Sequence, residues 1–566
     1  MKKSLERQWW KEGIVYQIYP RSFQDTTGDG VGDIRGIIQR LDYIKNLGVD
    51  IIWLNPIYKS PNDDNGYDIS DYQNIMEEFG TMEDFDLMLS EMKKLGLRMV
   101  MDLVVNHCSD EHQWFVESKK SRENPYRDYF HWWPAENGTP PERWSFFDVA
   151  SNAWKYEKET DAYYLHYFSQ KQPDLKWENP KVRQEIYDMM TFWFDKGIDG
   201  FRMDVIPFIS KDISFPELPK EYNGEFIPYY ANGPKLHEYL REMNQKVLSK
   251  YDIMTVGEAI GVSVDRALDF VDDDRKELNM FFHFDLLALD REEGETFKMR
   301  SDQWKLTEFK EIHSKWDAVF AEKGWGSMFL NNHDFPRSVS RWGNDSTAHW
   351  YNSATMLHTF LLSMKGTPYF YYGEEIGMTN VRFNNIEDYK DINTINRYKS
   401  IVDNGGDVKA FIENEKDASR DNARTPMQWS VAANAGFTTG KPWIKVNENY
   451  KEGINVDSQI SDKSSVLNYF RRMVDVRKQN LVLIYGDYQL LLKDNEEIYA
   501  YTRTLDEDRC LVLLSFSTKK ISITLDELNF ETAKLLISND EDHAVRVKKD
   551  AVFSIKPYQA MIYKLS

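Results

Sequence analysis

Short runs of apolar residues recur along the first two thirds of the chain, and an amphipathic stretch follows most of them. The runs are 15–20 (VYQIYP), 50–56 (DIIWLNP), 98–104 (RMVMDLV), 200–205 (GFRMDV), 253–258 (IMTVGE), 279–284 (NMFFHF), 327–333 (SMFLNNH) and 367–373 (TPYFYYG). Runs that are apolar throughout, rather than at every second position, predict parallel strands buried on both faces. Eight strand–helix units fit a (β/α)8 TIM barrel better than an open sheet. The helix predicted over 81–95 begins with Thr81 ahead of Glu83 and Asp84, as an N-cap does, and stops near Gly96. Residues 234–250 and 465–480 have the same helical character.

Two connections are too long for ordinary strand–helix loops. Residues 105–172, aromatic and irregular, read as a small domain inserted after the third strand, and 376–432 as a second insertion after the eighth. Beyond 482 the pattern changes to alternating strand runs (YQLLL, IYAYTR, CLVLLSF, ISITL, MIYKL), which predict a carboxy-terminal antiparallel β-sandwich. The expected plan is barrel over 1–104, inserted domain over 105–172, barrel again over 173–482 and sandwich over 483–566.

Charge and composition narrow the function. The net charge of −21 repels polyphosphate and anionic lipid, so nucleic-acid and membrane-surface roles are disfavoured. With two cysteines, Cys108 and Cys510, one disulfide is possible but no disulfide framework or structural zinc cluster. No apolar run reaches the length of a membrane span, and a cytoplasmic protein is expected. The 17 Trp, 32 Tyr and 32 Phe suit flat, partly apolar ligands such as sugars, although packing alone also accounts for them. No oligomeric state follows from the sequence.

In a barrel enzyme the reactive groups sit where strands end. Here those ends carry Asp102, Asn106 and His107, then Arg202 and Asp204, then Glu258, then His333 and Asp334. One carboxylate at a strand end is usually a cap or an ion-pair partner; three on one rim are hard to explain by structure alone, since a buried unpaired carboxylate is very costly. Arg202 and Asp204, two apart on a strand, face the same way. Two carboxylates about one bond with a third nearby is the arrangement of glycoside hydrolysis.

Four segments carry a family resemblance: DLVVNH (102–107), GFRMDV (200–205), GE (257–258) and NNHD (331–334). They resemble the signature regions of glycoside hydrolase family 13, the α-amylase family. GIVYQIYPRSF, SPNDDNGYDISDY, QPDL, EEIGMTN and RDNARTPMQW further resemble its oligo-1,6-glucosidase and α-glucosidase branch. The resemblance implies Asp204 as nucleophile, Glu258 as general acid and base, and Asp334 as a third carboxylate on sugar hydroxyls. It implies His107 and His333 as hydroxyl ligands. Asp64 and Arg424 would form a pair closing the pocket for exo attack, with Tyr67 as stacking platform. Physically, Arg202 should keep Asp204 ionised, while Glu258, near other carboxylates, should hold a proton. Retention of configuration requires the two carboxyls about 5–5.5 Å apart.

No cofactor is expected for catalysis. In DTTGDGVGD (25–33), Asp25, Thr27, Asp29, the Val31 carbonyl and Asp33 are spaced as a calcium loop, and a structural Ca2+ is expected there; a metal-free Asp/Gly turn is the competing reading. The expected partner is a small oligosaccharide or disaccharide. Val205 resembles the residue of α-1,6-acting members, so isomaltose-type bonds are favoured, with transglucosylation possible. The alternative is a sucrose-acting enzyme: Ala288–Glu292 resembles the RLDRD loop of sucrose isomerases without its first arginine, and Ile260 replaces their phenylalanine.

Overall fold

All eight apolar runs form strands of one parallel sheet: β1 Val15–Ile18, β2 Ile51–Leu54, β3 Arg98–Leu103, β4 Gly200–Met203, β5 Met254–Glu258, β6 Met280–Phe282, β7 Ser327–Met328 and β8 Thr367–Tyr371. The computed structural model describes residues 5–148, 152–219, 227–293, 295, 297–541 and 543–566. Neighbours run β6-β5-β4-β3-β2-β1-β8-β7. β1 pairs on both sides, Val15 standing opposite Ile51 on one flank and Tyr369 on the other, and this curls the sheet into a barrel. The remaining seam, between β6 and β7, is bridged by the Ser327 hydroxyl, which donates to the Phe281 carbonyl at 2.8 Å.

Successive strand residues face opposite ways. Ile51, Trp53, Val100, Val256, Phe282 and Tyr369 fill the barrel, whereas Ile52, Leu54, Met99, Met101 and Phe201 pack outward in a second cluster. β1 stops short of 20 because Pro20, which has no N–H, opens a short helical turn at Pro20–Ser22. β7 keeps only two residues of the predicted seven; it is a seam strand paired regularly with β8 alone. Helix Met82–Lys94 has the expected cap: the Thr81 side chain accepts from Asp84 N–H, and Asp84 returns the bond to Thr81 N–H. Ser465 caps Val466–Gln479 by accepting from Asn468 N–H, without the returning bond.

Between β3 and β4 lies the small inserted unit, with a three-stranded antiparallel sheet in which Ala162–Leu165 pairs with Trp132–Pro134 and Trp154–Glu157. After β8 the chain forms helices Ile392–Asp403 and Val408–Ala418 and the short turn Asp421–Arg424. These two excursions are tied together: Asn393 and Asn396 donate to the carbonyls of Phe146 and Phe147, each at 3.2 Å.

The carboxy-terminal unit is a six-stranded antiparallel sheet with a two-stranded pair, Ile521–Ile523 and Phe553–Ile555. Leu511, Leu513 and Tyr563 pack with that pair; Tyr499, Tyr501, Val512 and Ile562 join the main core instead. Two buried arginines meet at the joint, Arg477 on the barrel side and Arg503 on the carboxy-terminal unit, and Arg503 makes the bond that crosses to the barrel. Arg477 donates to the carbonyls of Leu362, Met364 and Gly366, and Arg503 to those of Ser363, Leu483 and Gly486. Cys108 and Cys510 are both buried and unpaired, so the disulfide that the sequence permits does not form. Arg503→Leu leaves three carbonyls without this donor, at a cost of about 1–3 kcal/mol for each that stays dry. Thermal melting is expected several degrees lower with kcat unchanged; a changed kcat at low temperature would show that the joint reaches the active site.

Candidate active site

One guanidinium organises the carboxy-terminal mouth of the barrel. Arg202, near the end of β4 and 1% exposed, stands in register opposite Asp102 on β3 and Val256 on β5. Its Nη1 donates to Asp102 Oδ1 at 2.7 Å and to Asp204 Oδ1 at 2.6 Å, and its Nη2 lies 2.8 Å from Glu258 Oε2. Thus Asp204 and Glu258 are brought to opposite prongs of the same cation, while Asp102 is held further by the Trp53 indole N–H at 2.8 Å.

The expected ionisation of Asp204 needs correction. Burial pushes its carboxyl well above the ordinary range; Arg202 pulls it back, and Glu258 and Asp102 push it up again. Asp102 is itself raised to about 6, chiefly by burial. One cation is divided among three buried carboxylates, so charging all of them at once is costly and Arg202 alone does not secure the charge on Asp204.

Val205 follows directly with φ 35° and ψ 42°, left-handed backbone that a β-branched residue rarely adopts. Its N–H, turned inward by that conformation, donates to Glu258 Oε2 at 3.0 Å. Strain of about 1–3 kcal/mol is typical for such a residue.

At the far end of the pocket the expected Asp64–Arg424 pair is redistributed. Asp64 Oδ1 lies 3.5 Å from Arg420 Nη2, and Asp64 Oδ2 accepts from the Gln172 amide at 3.1 Å. Arg424 sits behind, donating to Asp334 Oδ1 at 2.9 Å and to the His333 carbonyl at 3.0 Å, while Arg420 reaches Asp334 Oδ1 at 3.0 Å. Arg420, four residues before Arg424 on the turn Asp421–Arg424 and its cap, is therefore the cation lining this end of the pocket. Asp334 is held well below the usual carboxylate range: burial would raise it, but contact with His333, Arg420 and Arg424 prevails. Burial lowers His107 and His333 to about 3, so both are neutral.

His333 stacks face to face with Tyr67, with ring centres 5.3 Å apart, and its Nε2 lies 2.7 Å from the Tyr67 hydroxyl and 3.1 Å from Asp334 Oδ2. It lies behind the wall and is fully buried. Of the residues read from the sequence, Asp64, Tyr67, His107, Asp204, Val205, Glu258 and Asp334 line the cavity; Arg202, His333 and Arg424 support it from behind. Sequence reasoning missed Arg420 and an aromatic wall of Phe146, Phe147, Phe168 and Phe208. Arg420 stands in RDNAR, and Phe146 and Phe147 stand in RWSFF, but nothing in either string says which way these side chains face. Phe284, Phe297, Phe335 and Arg291 line the same cavity, so the 288–292 loop does reach it.

The 25–33 loop is closed by its own hydrogen bonds. Asp25 accepts from the N–H groups of Thr27, Gly28 and Gly30, each at 2.8 Å, and from the Thr438 hydroxyl. The Thr27 hydroxyl also faces Asp25, Asp29 accepts from Val31 N–H, and Asp33 accepts from Thr26 and Gly36 N–H. Among the described residues no group of three His, Cys, Asp or Glu side chains is placed to hold a metal ion. The carboxylates of Asp25, Asp29 and Asp33 all accept from N–H groups of the loop itself.

A barrel whose catalytic-end carboxylates share one arginine matches the family model for the alpha amylase catalytic domain over residues 17–486, and residues 488–562 match that for the maltogenic amylase C-terminal domain. The chain belongs to the α-amylase family. It is a glycoside hydrolase. This family member is 54% identical to an oligo-1,6-glucosidase of Parageobacillus thermoglucosidasius, over 99% of this chain and 100% of that one. It is 44% identical to a trehalose-6-phosphate hydrolase of Bacillus subtilis, over 100% of this chain and 99% of the other. Among solved structures, a mutant isomaltulose synthase from Erwinia rhapontici NX5, in complex with its natural substrate sucrose, superposes with a TM-score of 0.95 at 45% identity, covering 100% of both chains. No helix among the described residues is long and apolar enough to cross a membrane.

Burial raises Asp64 to about 7, against the pull of Arg420 and Arg424, from an ordinary value of about 3.9. Between those values the folded protein binds a proton that the unfolded chain has lost, so stability falls as pH rises through the window. Asp64→Asn removes the buried charge, and Arg420 still has Asp334 and Asp391 as partners. The variant is expected to melt above wild type at pH 8, with the gap closing toward pH 5, and to lose kcat/KM. A lower melting temperature at pH 8 would mean that pairing with Arg420 outweighs burial.

Proposed function

We propose that the protein is a retaining, exo-acting α-glucosidase that releases glucose from the non-reducing end of short α-glucosides, favouring α-1,6 bonds. The observation that carries this is the Asp204–Glu258 pair on one guanidinium, at the floor of a pocket closed at its far end by Asp64, Arg420 and Asp334. In this reading Asp204 attacks the anomeric carbon, and Glu258 gives its proton to the leaving oxygen and then takes one from water. Val205 N–H steadies the Glu258 carboxylate after that proton has left. Neutral His107 and the Asp334–Arg420 pair hold hydroxyls of the sugar being cleaved, with Tyr67 against its face. The relatives named oligo-1,6-glucosidase, at 48–54% identity over the full chain, support the linkage preference, as does Val205, whose apolar side chain offers no partner for a polar group in α-1,4 geometry. The protein is read as cytoplasmic, in keeping with two unpaired cysteines.

The second reading, a sucrose-acting enzyme, rests on Arg291: it lines the cavity beside Phe284 and Phe297, and the structural neighbour solved with sucrose shares the whole fold. Proton NMR during turnover of isomaltose, maltose and sucrose separates the readings. α-Glucose is expected first, isomaltose is expected to turn over fastest, and Asp204→Asn should lose several orders of magnitude in rate with the fold intact. β-Glucose as first product would overturn the assignment of the pair; isomaltulose or trehalulose from sucrose as the main reaction would establish the second reading.

Calcium at 25–33 is proposed from the oxygen spacing and the family resemblance alone; the ion would share the Asp25, Asp29 and Asp33 carboxylates with the N–H groups that donate to them. Excess chelator, applied to protein shown by elemental analysis to carry calcium, is expected to lower the melting temperature by several degrees with little change in kcat. An ion-free protein that melts identically with and without added Ca2+ would establish the hydrogen-bonded turn.

A further inference from the structure

Behind His107 lies a buried ammonium group that the mechanism above does not use. Lys211 is 2% exposed and follows the turn Ile206–Ile209 that continues the chain from Asp204. Its Nζ donates to Asn106 Oδ1 at 2.7 Å and to the Phe208 carbonyl at 2.6 Å, and stands 3.1 Å from Asp174 Oδ1. Those three partners come from three separate walls of the pocket. Asn106 precedes His107 after β3, Phe208 lines the cavity beyond β4, and Asp174 pairs with His107 in an isolated antiparallel bridge at the end of the inserted unit.

The hydrogen-bond directions then follow from the donor inventory. An ammonium only donates, so the Asn106 atom facing Lys211 is the carbonyl oxygen. The Asn106 amide nitrogen must turn the other way, where it donates to Asp174 Oδ1 at 3.1 Å and meets His107 Nδ1 at 3.0 Å. An NH2 group facing a ring nitrogen requires a lone pair there, so the single proton of neutral His107 resides on Nε2. Gln172 Nε2, 3.4 Å from His107 Nε2, has its two hydrogens directed at Asp64 Oδ2 and the Tyr67 carbonyl, and so does not compete for that position.

We infer that Lys211 is a positioning residue which, through the fixed amide of Asn106, holds His107 in the Nε2–H tautomer, so that this N–H is a donor shared between the Tyr67 carbonyl and the sugar pocket. The inference rests on the reading of His107 as a sugar ligand, but its first half concerns the ring alone and is testable without substrate. Removing Lys211 by itself would orphan the buried Asp174 carboxylate. The informative variant is therefore Lys211→Met with Asp174→Asn, which removes the charge pair together.

Full-length enzyme labelled with 15N-histidine, with the His107 signals assigned by their loss in His107→Gln, reports the tautomer in a long-range proton–nitrogen correlation. Wild type is expected to show protonated Nε2 and bare Nδ1. The double variant is expected to show a mixture, together with a fall of about 10–100-fold in kcat/KM on an aryl α-glucoside, as for other small losses of alignment at a reacting centre. An unchanged tautomer in the variant would overturn the inference whatever the activity. A mixed tautomer with full activity would uphold the relay and instead overturn the reading of His107 as a sugar ligand. Should the double variant not fold, Asn106→Leu breaks the same relay and leaves the Lys211–Asp174 ion pair in place, with the same two outcomes.

Discussion

The catalytic end of this barrel depends on a single buried cation. Arg202 is reached by carboxylates from three adjacent strands, and parallel pairing brings them there: the register places it opposite Asp102, and β5 ends at Glu258 beside it. Removing one partner of such a group strands the others in a dry interior, which commonly costs about 3–5 kcal/mol. Asp204 and Glu258 are therefore both tied to the same guanidinium group. Sharing also raises the cost of holding every acid charged at once, since three acids surround one base.

The same economy recurs at the closed end. Asp334 serves Arg420, Arg424 and His333, while Arg420 also serves Asp64 and Asp391. The two histidines at the site are neutral because they are buried, so they act by hydrogen bonding and their tautomers become the relevant variable. For His333 that is settled by Gln17, whose amide nitrogen lies 2.9 Å from Nδ1 and leaves Nε2 to face Tyr67 and Asp334. The long excursions after β3 and β8 supply the aromatic wall, and the asparagines of helix Ile392–Asp403 hold that wall by its backbone.

Much of this was legible in the sequence because the signals were local. Eight unbroken apolar runs could only be doubly buried strands, and polar residues placed at their ends had to meet at one rim. The Thr81 cap, the alternating strands after residue 482 and the insertions by length followed for the same reason. What escaped depends on contacts far apart in sequence. RDNAR contains two arginines, and only the turn of the chain decides that Arg420 faces Asp64 while Arg424 faces Asp334. The ionisation of Asp204 was misjudged because proximity to Arg202 was visible in the sequence, whereas the division of Arg202 among three acids was not. For the 25–33 loop the oxygen spacing is the same for a metal loop and for a turn whose carboxylates cap its own N–H groups, so the sequence leaves both readings open.

The left-handed backbone of Val205 has a consequence for how enzymes of this kind can diverge. Its side chain lines the cavity and its N–H serves Glu258, so in the proposed mechanism one position carries a determinant of preference and a support of the chemistry on separate parts of the residue. Any L-residue except proline keeps the N–H, and the side chain is thus open to exchange while the proton-transfer machinery is held constant. The strain differs with the substituent, however, because branching at Cβ is what the left-handed region tolerates least. Selection for a new sugar at this position therefore alters fold stability in the same step, and an ancestor with stability in reserve has more routes open to it than one without.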